Sequence, residues 1–280
     1  MVTRVVMLGT GTPFPDPERS GPATAVVVDD LPYLVDFGPG VVRRMMAAYQ
    51  RGVGAFGRAA VNVTTAFLTH LHSDHTMGYP DLIFTPWMMG RREPLKVFGP
   101  PGIKAMTDAI MRAWQVDVQA RATRLSNRDG GQTLVTEFTS GPVYADARVA
   151  VTAFPVHHHE MEHSFGFRFQ TADRTVVISG DTTPTQALIE HARGCDLLVH
   201  EAYSMASYKR VTPVWQRFRR SHHTSSEEIA AIANEVKPRL LALYHCSNAG
   251  DTTENGTEVL DEVRALYRGE VVSARDLDVV

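Results

Sequence analysis

Cysteine is scarce, long apolar runs are missing, and charge of either sign barely dominates in this chain. Cys195 and Cys246 are its two cysteines among 280 residues. They are too few for a disulfide framework, so reduced thiols in a cytoplasmic setting are expected. No stretch approaches the roughly 20 apolar residues of a membrane span. The opening residues run straight into a strand pattern without the apolar core of a signal peptide. Neither a membrane partner nor export is therefore expected. A formal net charge of -3 gives no global pull toward nucleic acid or anionic lipid. Internal repeats, low-complexity tracts and long Pro/Gly/Ser linkers are also missing, which predicts one domain over residues 1–280. What remains is 44% hydrophobic and 21% charged, an ordinary globular composition able to bury a substantial core.

Apolar patterning predicts strands at Val2–Leu8, Thr24–Asp29, Tyr33–Asp36, Thr65–Thr69 and Leu95–Phe98. Helices are expected at Val41–Arg51 and Ile103–Trp114. Asp129-Gly130-Gly131 reads as a hairpin tip. The second half repeats the style, not the sequence. Strands are expected at Arg148–Val156, Ser164–Thr171, Thr175–Ser179, Leu197–His200, Leu240–Tyr244 and Val271–Ser273. Helices follow at Thr185–His191, Glu227–Val236 and Thr257–Tyr267, the middle one opened by a capping box at Ser225-Ser-Glu-Glu228. Strands followed by helices, twice over, predict an α/β fold of four layers, two packed sheets with helices outside.

The densest chemistry lies just after the strand Thr65–Thr69. His70, His72, Asp74 and His75 place four metal-type donors in six positions. One tetrahedral ion cannot use them all from a single short loop, so they need outside partners or divide between two ions. His70 and His72 alternate and can face one ion, while Asp74 and His75 reach the other way. His157, His158, His159 and His163 follow another strand, and one of them is expected to complete a set of three imidazoles. His158 is favoured, with its neighbours left open. Asp181 sits on a tight Gly180-Asp181 turn and suits a bridge between cations about 3.5–4 Å apart. His245 ends the strand Leu240–Tyr244 and would complete the second set, with Cys246 a softer alternative. An N/O donor set without cysteine suits zinc, two Zn2+ per chain, although Mn2+ or Fe could occupy it. A water shared by two such ions loses its proton near neutral pH and becomes a nucleophile. These features predict a metal-dependent hydrolase.

Glu201 ends a buried strand, and His223 lies just before the helix opened by Ser225. We expect Glu201 to orient His223 and His223 to protonate the departing oxygen. Asp74 counts both among the catalytic candidates and among the ligands. Between Tyr203 and His222 stand Lys209, Arg210, Arg217, Arg219 and Arg220 with no acidic residue. Tyr208, Trp215 and Phe218 are interleaved. The segment reads either as a lid for an anionic or aromatic substrate or as a solvated loop with a packed Trp. Trp87 with Met88 and Met89 lines a pocket or fills core.

With these residues in view, the chain resembles the metallo-β-lactamase superfamily, in particular its ribonuclease Z and arylsulfatase-like branch. The resemblance rests on Leu8-Gly-Thr-Gly-Thr-Pro13, Val35-Asp36-Phe37-Gly38, Thr69-His70-Leu-His72-Ser-Asp74-His75, Gly180-Asp181-Thr182, His200-Glu201-Ala202, His223-Thr224, His245 and the closing 271–277 stretch. It implies a four-layer αββα sandwich of two mixed sheets flanked by helices. It also implies one zinc on His70, His72 and His158, and a second on Asp74, His75 and His245. Asp181 would bridge them, and Glu201 with His223 would form the proton-transfer pair. Bacterial ribonuclease Z carries a tRNA-gripping arm between the third-histidine motif and the bridging Asp. The stretch from His158 to Asp181 is too short for one, so tRNA 3′ processing is not expected and nucleic acid is not an expected partner. The expectation is a small, anionic ester substrate of the phosphodiester or aryl sulfate type. Lactone or β-lactam opening is the alternative, and a homodimer is compatible with either.

Overall fold

The computed structural model describes residues 1–125, 127–247 and 257–280. It divides into two compact units. One comprises Val2–Gly9, Ser20–Phe138 and Asp276–Val280; the other comprises Thr10–Arg19 and Thr139–Arg275, with Met1.

The first unit is built on a mixed six-stranded sheet in the order β1-β2-β3-β4-β5-β6. Its strands are β1 (Thr3–Gly9), β2 (Ala23–Val28), β3 (Leu31–Val35), β4 (Thr65–Phe67), β5 (Leu95–Gly99) and β6 (Thr133–Glu137). The first three pair antiparallel and the remainder parallel. All six side chains of β2 are buried, the continuous apolar run of a strand covered on both faces. Helices α1 (Val41–Gln50), α2 (Ser73–Thr76), α3 (Tyr79–Met88), α4 (Ile103–Ala113) and α5 (Gln115–Ala122) make the crossovers. Helix α1 buries Val41, Val42, Met45 and Ala48, one apolar stripe at helical spacing. The C-terminal segment returns to β1, where Leu277 N donates to Met7 O and Val280 N to Val5 O.

The second unit is a mixed seven-stranded sheet, ordered β13-β12-β11-β10-β9-β8-β7. It comprises β7 (Gly141–Ala145), β8 (Ala150–Pro155), β9 (Phe165–Gln170), β10 (Thr175–Ile178), β11 (Leu197–Tyr203), β12 (Leu240–Ser247) and β13 (Val271–Ser273). Strands β7 to β10 pair antiparallel and β10 to β13 parallel. Its helices are α6 (Gln186–Ala192), α7 (Met205–Arg210), α8 (Pro213–His222), α9 (Ser226–Val236) and α10 (Thr257–Leu266). The expected capping box opens α9: Ser225 Oγ accepts from Glu228 N and Ser225 N donates to Glu228 Oε2 at 2.8 Å.

The expected α/β class and the two mixed, helix-flanked sheets are present. Three local expectations are corrected. Asp129–Gly131 is a single 3-10 turn leading into β6, which runs parallel to β5, so it is not a hairpin tip. The loop carrying His75 is helical from Ser73. The Tyr203–His222 segment is two helices, α7 and α8, rather than a loop. Trp87 fills core, its Nε1 donating to Asn127 O, while Met89 is exposed.

Arg91 is the largest fully buried side chain. Its guanidinium donates to Leu82 O and Ile83 O, both at 2.9 Å, and to Gly130 O at 3.0 Å. Two of the carbonyls lie in the middle of α3, where Pro86 offers no N–H to Leu82 O, and the third in the turn before β6. Burial pushes the Arg91 guanidinium down to about 10. Replacing this fork leaves several buried carbonyls unsatisfied. Arg91→Met is expected to lower unfolding stability by about 2–4 kcal/mol in denaturant titration; a change below about 0.5 kcal/mol would show that the fork is dispensable.

Candidate metal centre

In the first unit the donors hang from a network centred on Asp36. This residue ends β3 with its carboxylate buried and its backbone left-handed at φ 59°, a conformation that non-glycine residues adopt mainly where the surroundings enforce it. Asp36 Oδ1 accepts from Thr69 N at 2.8 Å, and Thr69 Oγ1 lies 3.0 Å from both carboxylate oxygens. Asp36 Oδ2 accepts from His75 Nδ1 at 2.9 Å. That bond puts the His75 proton on Nδ1 and turns Nε2 into the lone-pair nitrogen. Thr69 passes the constraint on. Its hydroxyl gives its proton to Asp36, so at 3.0 Å it can only accept from His70 Nδ1. His70 Nε2 is thereby the lone-pair nitrogen, 3.0 Å from His72 Nδ1.

Asp74 sits in the first turn of α2, buried with His75. Gly38 makes that turn fit: a Cβ there would lie 2.5 Å from the Asp74 carbonyl oxygen. Sequence reading named His70, His72, Asp74 and His75 as donors but gave Asp36 no role among them. Its signal was an acid closing an apolar strand, which gains meaning only once β3 and β4 are known to pair.

The second unit gathers the remaining candidates around Asp181. Gly180, at φ 63°, turns the chain sharply after β10 and buries the Asp181 side chain. Asp181 Oδ2 lies 3.2 Å from His245 Nε2, 3.9 Å from His158 Nε2 and 4.0 Å from His223 Nδ1. Of the clustered histidines, His157, His159 and His163 are exposed and His158 is buried. His158 Nδ1 donates to His222 O at 2.7 Å, and His245 Nδ1 to Gly11 O at 2.6 Å. Both imidazoles therefore offer Nε2, like His75. His245 reaches its position through a register shift between β11 and β12, with left-handed backbone at φ 48°. Cys246 is a free thiol pushed up to about 12 by burial, which disfavours the thiolate a metal requires.

Glu201 Oε1 is held by Thr182 N at 3.2 Å and Thr224 N at 3.1 Å, and faces His223 Nδ1 at 3.2 Å. Burial alone would depress His223, but Glu201 and Asp181 outweigh it and hold the imidazole above its ordinary pKa. The protonated form that an acid needs is thus favoured. His200, also on β11, is buried and held below its ordinary pKa by that burial, its Nδ1 directed at Glu201 O.

Both units fit a metal on one physical observation. Nδ1 of His70, His75, His158 and His245 is bound to a protein acceptor, leaving Nε2 as the donor, the arrangement that orients metal-binding imidazoles.

Comparison with known proteins agrees. A family model described as Beta-lactamase superfamily domain matches residues 32–246. Ribonuclease Z of Mycobacterium bovis (strain BCG / Pasteur 1173P2) is 34% identical over 245 residues, covering 86% of this chain and 85% of that one. Ribonuclease Z of Mycobacterium sp. (strain KMS) is 35% identical over 249 residues, covering 86% and 83%. Among solved structures, the metallo-beta-lactamase fold protein YhfI from Bacillus subtilis superposes with a TM-score of 0.74 at 19% identity over 100% of both chains. Human tRNase Z, short form, gives 0.70 at 23% identity over 99% of this chain and 98% of that one. The chain belongs to the metallo-β-lactamase superfamily. It is a metal-dependent hydrolase of ester bonds. Among the described residues no helix is long and apolar enough to cross a membrane.

The carboxylate of Asp36 fixes the tautomers of two candidate ligands, His70 and His75, at once. Asp36→Asn is expected to weaken metal retention by about 10–100-fold, read as chelator competition followed by elemental analysis. Retention equal to the parent chain would contradict that role.

Proposed function

We propose that this hydrolase cleaves a phosphodiester in a small, anionic substrate. The dinuclear assignment is part of the proposal: His70, His72, His158 and Asp181 would hold one zinc, and Asp74, His75 and His245 would hold the other. When bound, such cations supply Lewis-acid polarisation and a water activated at neutral pH. The chain's own residues supply the remainder. Glu201, fixed by two backbone N–H groups, holds the Nδ1 proton of His223, and His223 presents its other nitrogen to the departing oxygen as general acid.

The observation that carries the reading is the 3.2 Å contact between His223 and the buried Glu201, 4.0 Å from Asp181. Opening a lactone or β-lactam ring makes less use of an acid held in this way, which ranks that alternative lower. Sulfate esters share the anionic charge and the need for leaving-group protonation, so an aryl sulfate is the neighbouring substrate class.

Support for a compact substrate comes from the second unit. Strands β9 and β10 are joined by a tight turn in which Thr171 N donates to Arg174 O, with no extension between them. Two cations of the basic segment are spent on structure: Arg210 pairs with Glu258, and Arg219 is buried, donating to Ser207 Oγ and Ser247 Oγ. Maturation of tRNA 3′ ends is the second reading. It is favoured by the ribonuclease Z relatives, which the chain matches over more than four-fifths of their length.

One pair of assays separates these readings. Bis(p-nitrophenyl) phosphate turnover that exceeds cleavage of a 3′-extended tRNA precursor supports the compact substrate. Cleavage of the precursor alone, with a steep salt dependence, would replace it by the RNA reading. His223→Ala should lower kcat by about 10²–10⁴-fold for diesters with alkoxide leaving groups, and much less for p-nitrophenolate. Equal losses for both leaving groups would remove His223 from the acid role.

A further inference from the structure

The turn after β8 carries metal-type donors that the chemistry above does not use. His159 Nδ1 lies 3.3 Å from Glu160 Oε2, and His222 Nε2 lies 2.7 Å from the same oxygen. The His159 and His222 rings stack at 4.8 Å with 9° between their planes. His159 adopts left-handed backbone at φ 40°, and the enforced turn places its ring against His222.

The hydrogen bonds of His222 orient its ring within this cluster. His222 Nδ1 lies 2.8 Å from Phe218 O, so that nitrogen carries the proton and donates it. The Ser221 hydroxyl beside it, at 2.9 Å, has the carbonyls of Arg217 and Phe218 as its own acceptors at 3.0 Å. In a neutral ring His222 Nε2 would then turn its lone pair toward the carboxylate oxygen, a contact that a second ring proton or a bound cation makes attractive. Two electron-rich atoms at that separation repel unless positive charge lies between them.

We infer that His159, Glu160 and His222 hold a third divalent cation, of zinc type, in an exchangeable site with open coordination positions. The ligand atoms lie within 4.8 Å of one another. Tetrahedral zinc with bonds of about 2.0–2.1 Å sets its donors about 3.3–3.4 Å apart. The His159 and Glu160 side chains are 48% and 74% exposed, so small rotations close the difference. Two imidazoles and one carboxylate match zinc, and the missing fourth ligand leaves room for water or an anionic oxygen from solution. The site is tied to the second unit's ligands, because the His222 carbonyl accepts from His158 Nδ1.

The test uses the full chain equilibrated with Zn2+ alone, followed by elemental analysis of the parent, His159→Ala and Glu160→Gln. Each variant should bind one equivalent less than the parent and lose the most weakly held class of ion. Co2+ titration should show the same missing class in its visible spectrum. Circular dichroism checks that the variants keep the fold. Identical stoichiometry in all three chains overturns the third site and leaves a proton-sharing His–Glu–His triad. The proposed dinuclear centre is judged separately, by the number of ions the variants retain, so the two readings fail independently.

Discussion

An imidazole carries two nitrogens and, when neutral, a single proton, so the group that takes that proton decides which nitrogen can bind a cation. The arrangement of donors in both units follows from this constraint. Asp36 takes the proton of His75 and, through Thr69, orients His70. The His222 and Gly11 carbonyls take those of His158 and His245. A buried imidazole left to choose its tautomer would as readily turn its N–H toward the metal position. Backbone conformations that cost energy are maintained for this purpose: Asp36 and His245 are both left-handed, and each aims a side chain that ordinary strand geometry would direct elsewhere.

The scaffold makes that cost bearable. Donors follow strands β4, β8 and β10, while His245 lies within β12 and Glu201 within β11, all of them elements that carry buried side chains. A rigid strand end with a short loop holds a ligand more tightly than a long loop could. The burial that stiffens the donors also sharpens the electrostatics. Glu201 and Asp181 raise His223 although its burial opposes them, which favours the protonated ring.

Much of this was legible in the sequence because strands that end in a donor are conspicuous: an apolar run stops at His70, His158, Asp181 or His245. The strand and helix order followed from the same runs, and the α9 start from its capping box. Helix α3 was not legible, since Pro80 and Pro86 read as breaks. Pro80 lies in the first turn, where its missing N–H costs nothing. Helices α7 and α8 are short, and the few apolar side chains of α8, Val214, Trp215 and Phe218, are interleaved with Arg217, Arg219 and Arg220. Neighbouring histidines leave a strand alternately exposed and buried, and only the fold shows that His158 is the buried one. Asp36 was hidden for a different reason. Its partners Thr69 and His75 lie more than thirty positions away, and nothing local marks an acid at a strand end as their anchor.

Diffraction from zinc-loaded crystals collected on both sides of the zinc absorption edge tests the central claim most directly. The account requires two strong anomalous peaks beside Asp181, bonded to Nε2 of His70, His75, His158 and His245. A single peak there, or bonding through Nδ1 of His75, His158 or His245, would contradict it.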